Sequence, residues 1–136
     1  MKAKFAWISL LAVVLSTIAC KKDVDDRDAF VGTYNMEDRY TIAGQSVTES
    51  FSMSITKSSS SKDRILMTNF GNGQGVTIEA TVSGTSLNIP QQTITFDGDN
   101  YGIAGSGRID GNRLTYSYTL SDLTLSLSIQ SSGNKL

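Results

Sequence analysis

Histidine is absent from the 136 residues, and cysteine, proline and tryptophan occur once each. Without imidazole the chain has no access to the commonest general base and a common metal ligand. A single cysteine has no partner within the chain for a disulfide, so the fold must be held by its own core. A dominant charge sign is missing too. The chain has 12 Lys+Arg against 13 Asp+Glu, and the basic residues are scattered. That excludes the basic stripe of a nucleic-acid binder. At this length there is room for one domain.

What is present is unevenly spread. Residues 1–19 hold the only Trp (Trp7), 14 hydrophobic residues and two of the basic ones, while all 12 Gly, 17 Ser and 13 Thr lie in 20–136. Met1-Lys-Ala-Lys4 is a short basic start, and Phe5–Ala19 is an uncharged, mostly apolar run. Those 15 residues would make a helix of about 22 Å, short of the ~30 Å hydrocarbon core of a bilayer. Basic flank, short apolar run and terminal Ala19 predict a secretory signal peptide over 1–19.

The run stops at Cys20. Ser16-Thr17-Ile18-Ala19-Cys20 resembles the lipobox of bacterial lipoproteins, with Thr17 where that family usually has Leu. The resemblance implies cleavage before Cys20, a diacylglyceryl group on its thiol and acylation of the new amino terminus. Several acyl chains suffice for stable anchoring at ~0.8 kcal/mol per buried CH₂. It implies a lipid bilayer as partner and an outer-membrane location, on the periplasmic face or at the cell surface. Lys21–Asp28 mixes acidic and basic residues and cannot join a core, so 20–28 is expected to be a tether. It is similar to the charged tethers that direct some lipoproteins to the cell surface, and it equally fits a plain solvated linker.

Beyond residue 28 the period is two. Val47, Phe51, Met53 and Ile55 alternate with Ser and Thr, as do Val76, Ile78, Ala80 and Val82, then Leu114, Tyr116, Tyr118 and Leu120, then Leu123, Leu125, Leu127 and Ile129. Each run has one apolar and one hydroxyl face, the mark of antiparallel strands wetted on one side. Gly-, Asn- and Asp-rich breaks delimit strands near 30–42, 46–57, 64–70, 75–82, 85–96, 101–109, 113–120 and 123–130. The lone Pro90 falls inside the fifth, where a bend or bulge is expected. Short links make sequence neighbours spatial neighbours. The expectation is an all-β fold, a single antiparallel up-and-down barrel of about eight strands over 29–136, with a two-sheet sandwich as the alternative.

Asp28-Ala29-Phe30-Val31-Gly32-Thr33-Tyr34 resembles the opening strand of the calycins, the lipocalin and fatty-acid-binding superfamily, with Tyr34 in place of their Trp. In that family the aromatic plugs one barrel end beneath a basic residue of the last strand. The run 123–130 has no Lys or Arg, so that residue is expected to be missing here. The tract from Asn69-Phe70-Gly71 to Ile89-Pro90-Gln91-Gln92 is similar to small calycin-like bacterial lipoproteins.

Motifs for catalysis or cofactors are thin. Asp97-Gly98-Asp99-Asn100 lacks the further ligands of a calcium loop and reads as a hairpin turn. Gly71-Asn72-Gly73-Gln74-Gly75 is followed by no helix that would present amides to a phosphate. Ser59-Ser60-Ser61-Lys62 matches S-x-x-K without its partner motifs. Glu79 falls on a Ser/Thr face. Glu49 shares phase with Val47 and Phe51, so it is expected at a barrel mouth, half in water, with Arg39 or Arg64 as candidate partners. The candidate ligand pocket is Tyr34, Met36, Phe51, Met53, Tyr101, Tyr116 and Tyr118, which serve equally well as a filled core. The expectation is a non-catalytic protein without cofactor or metal that binds a small apolar or amphipathic ligand. The alternative is a structural or protein-interaction module of the envelope. A cavity of at least ~300 Å³ would favour the first and native packing density the second.

Overall fold

The computed structural model describes residues 24–136, so the expected leader, Cys20 and the first tether residues lie outside it. Eight antiparallel strands follow one another around a closed barrel. They are β1 (Gly32–Ile42), β2 (Gln45–Lys57), β3 (Arg64–Thr68), β4 (Thr77–Ser83), β5 (Ser86–Phe96), β6 (Asp99–Asp110), β7 (Arg113–Ser121) and β8 (Ser126–Lys135). Closure is direct: β1 pairs with β8 from Tyr34 opposite Lys135 to Arg39 opposite Gln130. The barrel is therefore the architecture, and the sandwich is not.

The alternating pattern sets the faces. Met53, Ile55, Ile78, Ala80, Leu114 and Tyr116 are all buried, and the Ser and Thr between them face outwards. Tight links hold the register. Ala43-Gly44 (φ 50° and 77°) and Asp97-Gly98 (φ 50° and 82°) both adopt the left-handed pair that matches the twist of a hairpin. Pro90 does produce a bulge, with the β5–β6 register shifting between Ile89 and Gln92, but β5 remains one strand. On its other side β5 pairs with β4 at only three positions, from Thr81–Asn88 to Ser83–Ser86. Past them the Gln92 carboxamide replaces the ladder. Its Oε1 accepts from the Glu79 amide at 3.1 Å and its Nε2 donates to the Glu79 carbonyl at 2.8 Å.

Several strand bounds differ from the sequence reading by a residue or two, and two of the differences, in β3 and β8, shape the interior. The third strand stops at Thr68, because Asn69 turns left-handed (φ 66°) and sends Phe70, in a short 3-10 turn, into the barrel. The eighth strand is displaced towards the C-terminus. Leu123 is fully exposed and Leu125 is 41 % exposed. The inward positions of β8 are instead Leu127, Ile129, Ser131 and Gly133. Apolar alternation fades there for steric and polar reasons. Ser131 faces a buried carboxylate. A Cβ on Gly133 would collide with the Asn35 carbonyl and lie 2.5 Å from the Met36 sulfur. Extending β8 to residue 135 also supplies the basic residue that the shorter run lacked. Lys135 Nζ lies 5.7 Å from the Tyr34 ring centroid and donates to the Ala29 carbonyl at 2.8 Å.

The two barrel ends are unlike. At one, Phe30 and Tyr34 are fully buried under the 3-10 turn Asp26–Ala29. The Tyr34 hydroxyl donates to the Phe30 carbonyl at 2.7 Å, and burial pushes its phenol up to about 12. Arg27 fastens the turn by donating to the carbonyls of Ser58 and Ser61, both at 3.0 Å. The Arg27 guanidinium in turn holds the Asp25 carboxyl well below the usual carboxylate range. The Gly84 amide donates to Asp26 at 2.9 Å. Above this plug lies a packed layer of Met36, Met53, Ile55, Ile65, Met67 and Ile78.

Candidate functional site

The opposite end is open. It is built from the far ends of β1, β2 and β5–β8 together with the β3–β4 loop. The inward positions of β1 read Tyr34, Met36, Asp38, Tyr40, Ile42, so strict alternation carries an acidic residue into the barrel. Asp38 is 2 % exposed. Its carboxylate accepts the Tyr118 hydroxyl at 3.0 Å on one oxygen and the Ser131 hydroxyl on the other. Burial raises its pKa above the ordinary aspartate value. The Ser131 and Tyr118 donors oppose that rise, and the charge of Glu49 adds to it. Burial and the Asp38 charge likewise push the Tyr118 phenol up. Glu49 stands directly opposite Asp38 in the β1–β2 register, which sets two like-charged side chains on one inner face. Its carboxylate accepts the Tyr40 hydroxyl at 3.0 Å.

Above these groups the barrel encloses a cavity of about 240 Å³. Asp38, Tyr118 and Phe70 form its floor, Ile94, Leu120 and Leu127 its walls, and Ile42, Phe96 and Tyr101 part of its rim. The Phe70 ring, inserted by the left-handed turn at Asn69, sits 4.6 Å from the Tyr118 ring and 5.7 Å from that of Tyr116. This aromatic layer separates the cup from the packed interior. Small residues on β6 make room for it. Gly105 and Gly107 stand opposite Tyr118 and Tyr116, and a Cβ on either would overlap the tyrosine backbone and Cβ.

The seven expected pocket residues divide. Tyr101 and Tyr118 line the cup. Tyr34, Met36, Phe51, Met53 and Tyr116 do not line it and pack in the core. The Tyr116 hydroxyl has the Met53 sulfur as its contact, at 3.6 Å. Glu49 lies at the mouth and is half-buried, as its phase indicates, but its partner is Tyr40. Arg39 pairs with Glu37 on the outer face, and Arg64 pairs with Glu79 at 3.2 Å. The residue that the sequence reading missed is Asp38. Its phase with Tyr34, Met36 and Tyr40 was the available signal, obscured because the outward positions of β1 include charged Glu37 and Arg39. Among the described residues, no three cysteine or acidic side chains converge to hold a metal ion.

No protein-family model matches the sequence. No curated protein resembles it detectably. In three dimensions the chain is similar to a crystal structure from Bacteroides fragilis described as "a putative outer membrane protein". The TM-score is 0.56 at 17 % identity, over 82 % of this chain and 53 % of the other. The chain thus spans about half the length of that protein, and the likeness is one of fold.

Proposed function

We propose that this is a lipid-anchored envelope protein whose calycin-like barrel binds a small apolar or amphipathic ligand at its open end, without catalysis. The cup carries the reading: an apolar-walled concavity with a few convergent polar groups is the usual form of a ligand site. Its 240 Å³ falls short of the ~300 Å³ that would favour ligand binding by size, so the reading rests on the shape and lining of the cup. The ligand therefore inserts one end and leaves the remainder in solvent. Lys135 over Tyr34 at the plugged end supports the calycin resemblance. The lipobox-like sequence at Cys20 and the description of the Bacteroides fragilis protein support an outer-membrane location. Attachment through Cys20 rather than through the strands fits the faces of the barrel. A membrane-spanning barrel turns an apolar band outwards and a polar lumen inwards, and this one does the reverse.

Native mass spectrometry of protein extracted from its own membrane tests the reading. We expect a retained small molecule that is lost when Leu127→Trp fills the cup. Finding none across several growth conditions would refute ligand binding. The packed layer below Phe70 favours the second reading, an interaction module that works through its loops. A Leu127→Trp variant that keeps full function in cells would select it.

A further inference from the structure

The basic residues of the described part of the chain are sorted along the barrel axis, whereas acidic residues lie at both ends, Asp25, Asp26, Asp28, Asp63 and Asp110 among them at the plugged one. At the open end are Asp38 and Glu49 within the cup, Asp97 and Asp99 at the β5–β6 turn and Asp122 in the β7–β8 loop. None of the four connections at that end, 43–44, 69–76, 97–98 and 122–125, contains Lys or Arg. Lys57, Lys62, Arg64, Arg108, Arg113 and Lys135 lie at or near the plugged end. Arg39 is outward-facing and already paired with Glu37. No residue lining the cup is basic. Its walls also present the rings of Tyr40, Phe70, Phe96, Tyr101 and Tyr118.

From this arrangement we infer that the cup selects cationic amphiphiles, a short apolar chain bearing an ammonium group, and rejects carboxylate lipids. The inference rests on the cup's being a ligand site, as proposed above, and adds its charge preference. Two physical effects carry it. Carboxylates in a concave, low-dielectric wall focus a negative potential that draws cations in and repels anions. Aromatic faces add attraction for an ammonium within about 6 Å of a ring centroid, stronger where water is excluded. A fatty-acid headgroup would meet the opposite situation. It would be desolvated beside Asp38 and Glu49 with no guanidinium or ammonium to receive it.

The test uses three eight-carbon probes that differ only in the head: octyltrimethylammonium, octanol and octanoate. Their binding to the full chain is measured by titration calorimetry, with Cys20→Ser so that no acyl chain competes for the cup. We expect the ammonium to bind at least about tenfold more tightly than octanol, and octanoate more weakly than octanol. Glu49→Gln lies at the half-buried rim and keeps an acceptor for the Tyr40 hydroxyl. It should lower ammonium affinity severalfold and leave octanol unchanged. Adding Asp38→Asn should bring the ammonium down to the octanol level. Octanol binding with no preference for the ammonium, or octanoate binding as well as the ammonium, overturns the inference and leaves the cup intact as an apolar site. Binding of none of the three overturns the ligand-site reading itself.

Discussion

Replacing Tyr118 by Phe removes one hydroxyl and leaves the ring packed at a tilt against Phe70. What is lost is the 3.0 Å donation to Asp38, a carboxylate only 2 % exposed. A hydrogen bond to a charged group contributes about 1.5–3 kcal/mol, against ~0.5–1.5 kcal/mol for a neutral pair. At pH 8 the variant should therefore lose about 1.5–3 kcal/mol, and with a urea m-value near ~1.5 kcal/mol/M the midpoint should fall by about 1–2 M. Asp38→Asn keeps an acceptor for Tyr118 and removes the charge, so in that background Tyr118→Phe should cost only the neutral amount. The cycle should then show about 1 kcal/mol or more of coupling. The pH dependence has a definite sign. The Asp38 carboxyl is raised above 3.8 by burial and by Glu49, so the folded state holds its proton after the unfolded state has released it. Its contribution to stability is therefore greatest in acid and declines as pH rises through the folded pKa. The groups facing it are Tyr118 and Tyr116 on β7, Ser131 on β8 and Glu49 on β2. Below that pKa the carboxyl is neutral, and the cost of Tyr118→Phe should shrink towards the neutral value. Urea unfolding followed by circular dichroism from pH 4 to pH 8 measures all of this. An equal cost for Tyr118→Phe in both backgrounds, or a cost that does not change with pH, would refute the account of the buried carboxylate.

Three further perturbations probe other parts of the fold. Gly133→Ala places a methyl against the Asn35 carbonyl and the Met36 sulfur. It should destabilise by about 3 kcal/mol or more, read as a fall in Tm, because the overlap is with backbone that the β1–β8 closure fixes. Gln92→Ala removes both bonds that hold β5 to Glu79 beyond the short β4–β5 ladder. Hydrogen exchange at the Glu79 amide should accelerate markedly while Ile78 and Ala80 stay protected; unchanged exchange at Glu79 would refute the bridge. Cys20→Ala should yield unanchored or uncleaved protein. A mature form that still fractionates with the outer membrane would refute lipid attachment at that residue.

Most of the barrel was legible because it depends on one repeating constraint. Alternation assigned the inward residues of β2, β4 and β7 correctly, and Asp-Gly marked its hairpin. The misreadings occur where a second constraint overrides alternation. β8 carries Ser131 and Gly133 on its inner face because it closes against β1, a contact between chain ends that no local pattern reports. The same kind of distance hid the site. Met36 and Tyr116 look like Tyr118 and Tyr101 in sequence, yet the first two lie below Phe70 and the second two above it. Phe70 itself reads as the last residue of a strand until Asn69 turns left-handed and aims it inwards. Whether an inward aromatic is core or pocket wall depends on its height in the barrel. Height comes from the stagger of eight strands and not from the phase of one.

The position of the chain's start relative to the cup bears on what the protein can reach. Asp25 and Asp26 lie at the plugged end, where Arg27, Gly84 and Lys57 hold them. Residue 24, next to Asp25, therefore lies at the end opposite the cup. An acyl group on Cys20 would seat the plugged end towards its bilayer and turn the open end away from it. Of the exposed large apolar residues, Ile42, Phe96, Leu123 and Leu125 belong to that far end, and Val24 and Leu136 to the plugged one. A ligand entering the cup would then arrive from the aqueous side, with its head meeting Asp38 and Glu49. Moving the tether to the other end by circular permutation, with new termini in the β7–β8 loop, would turn the mouth to the membrane. If uptake is from the aqueous side, the permuted protein should bind its soluble ligand more slowly at unchanged equilibrium affinity in detergent. If both forms bind at the same rate on vesicles, the orientation argument fails.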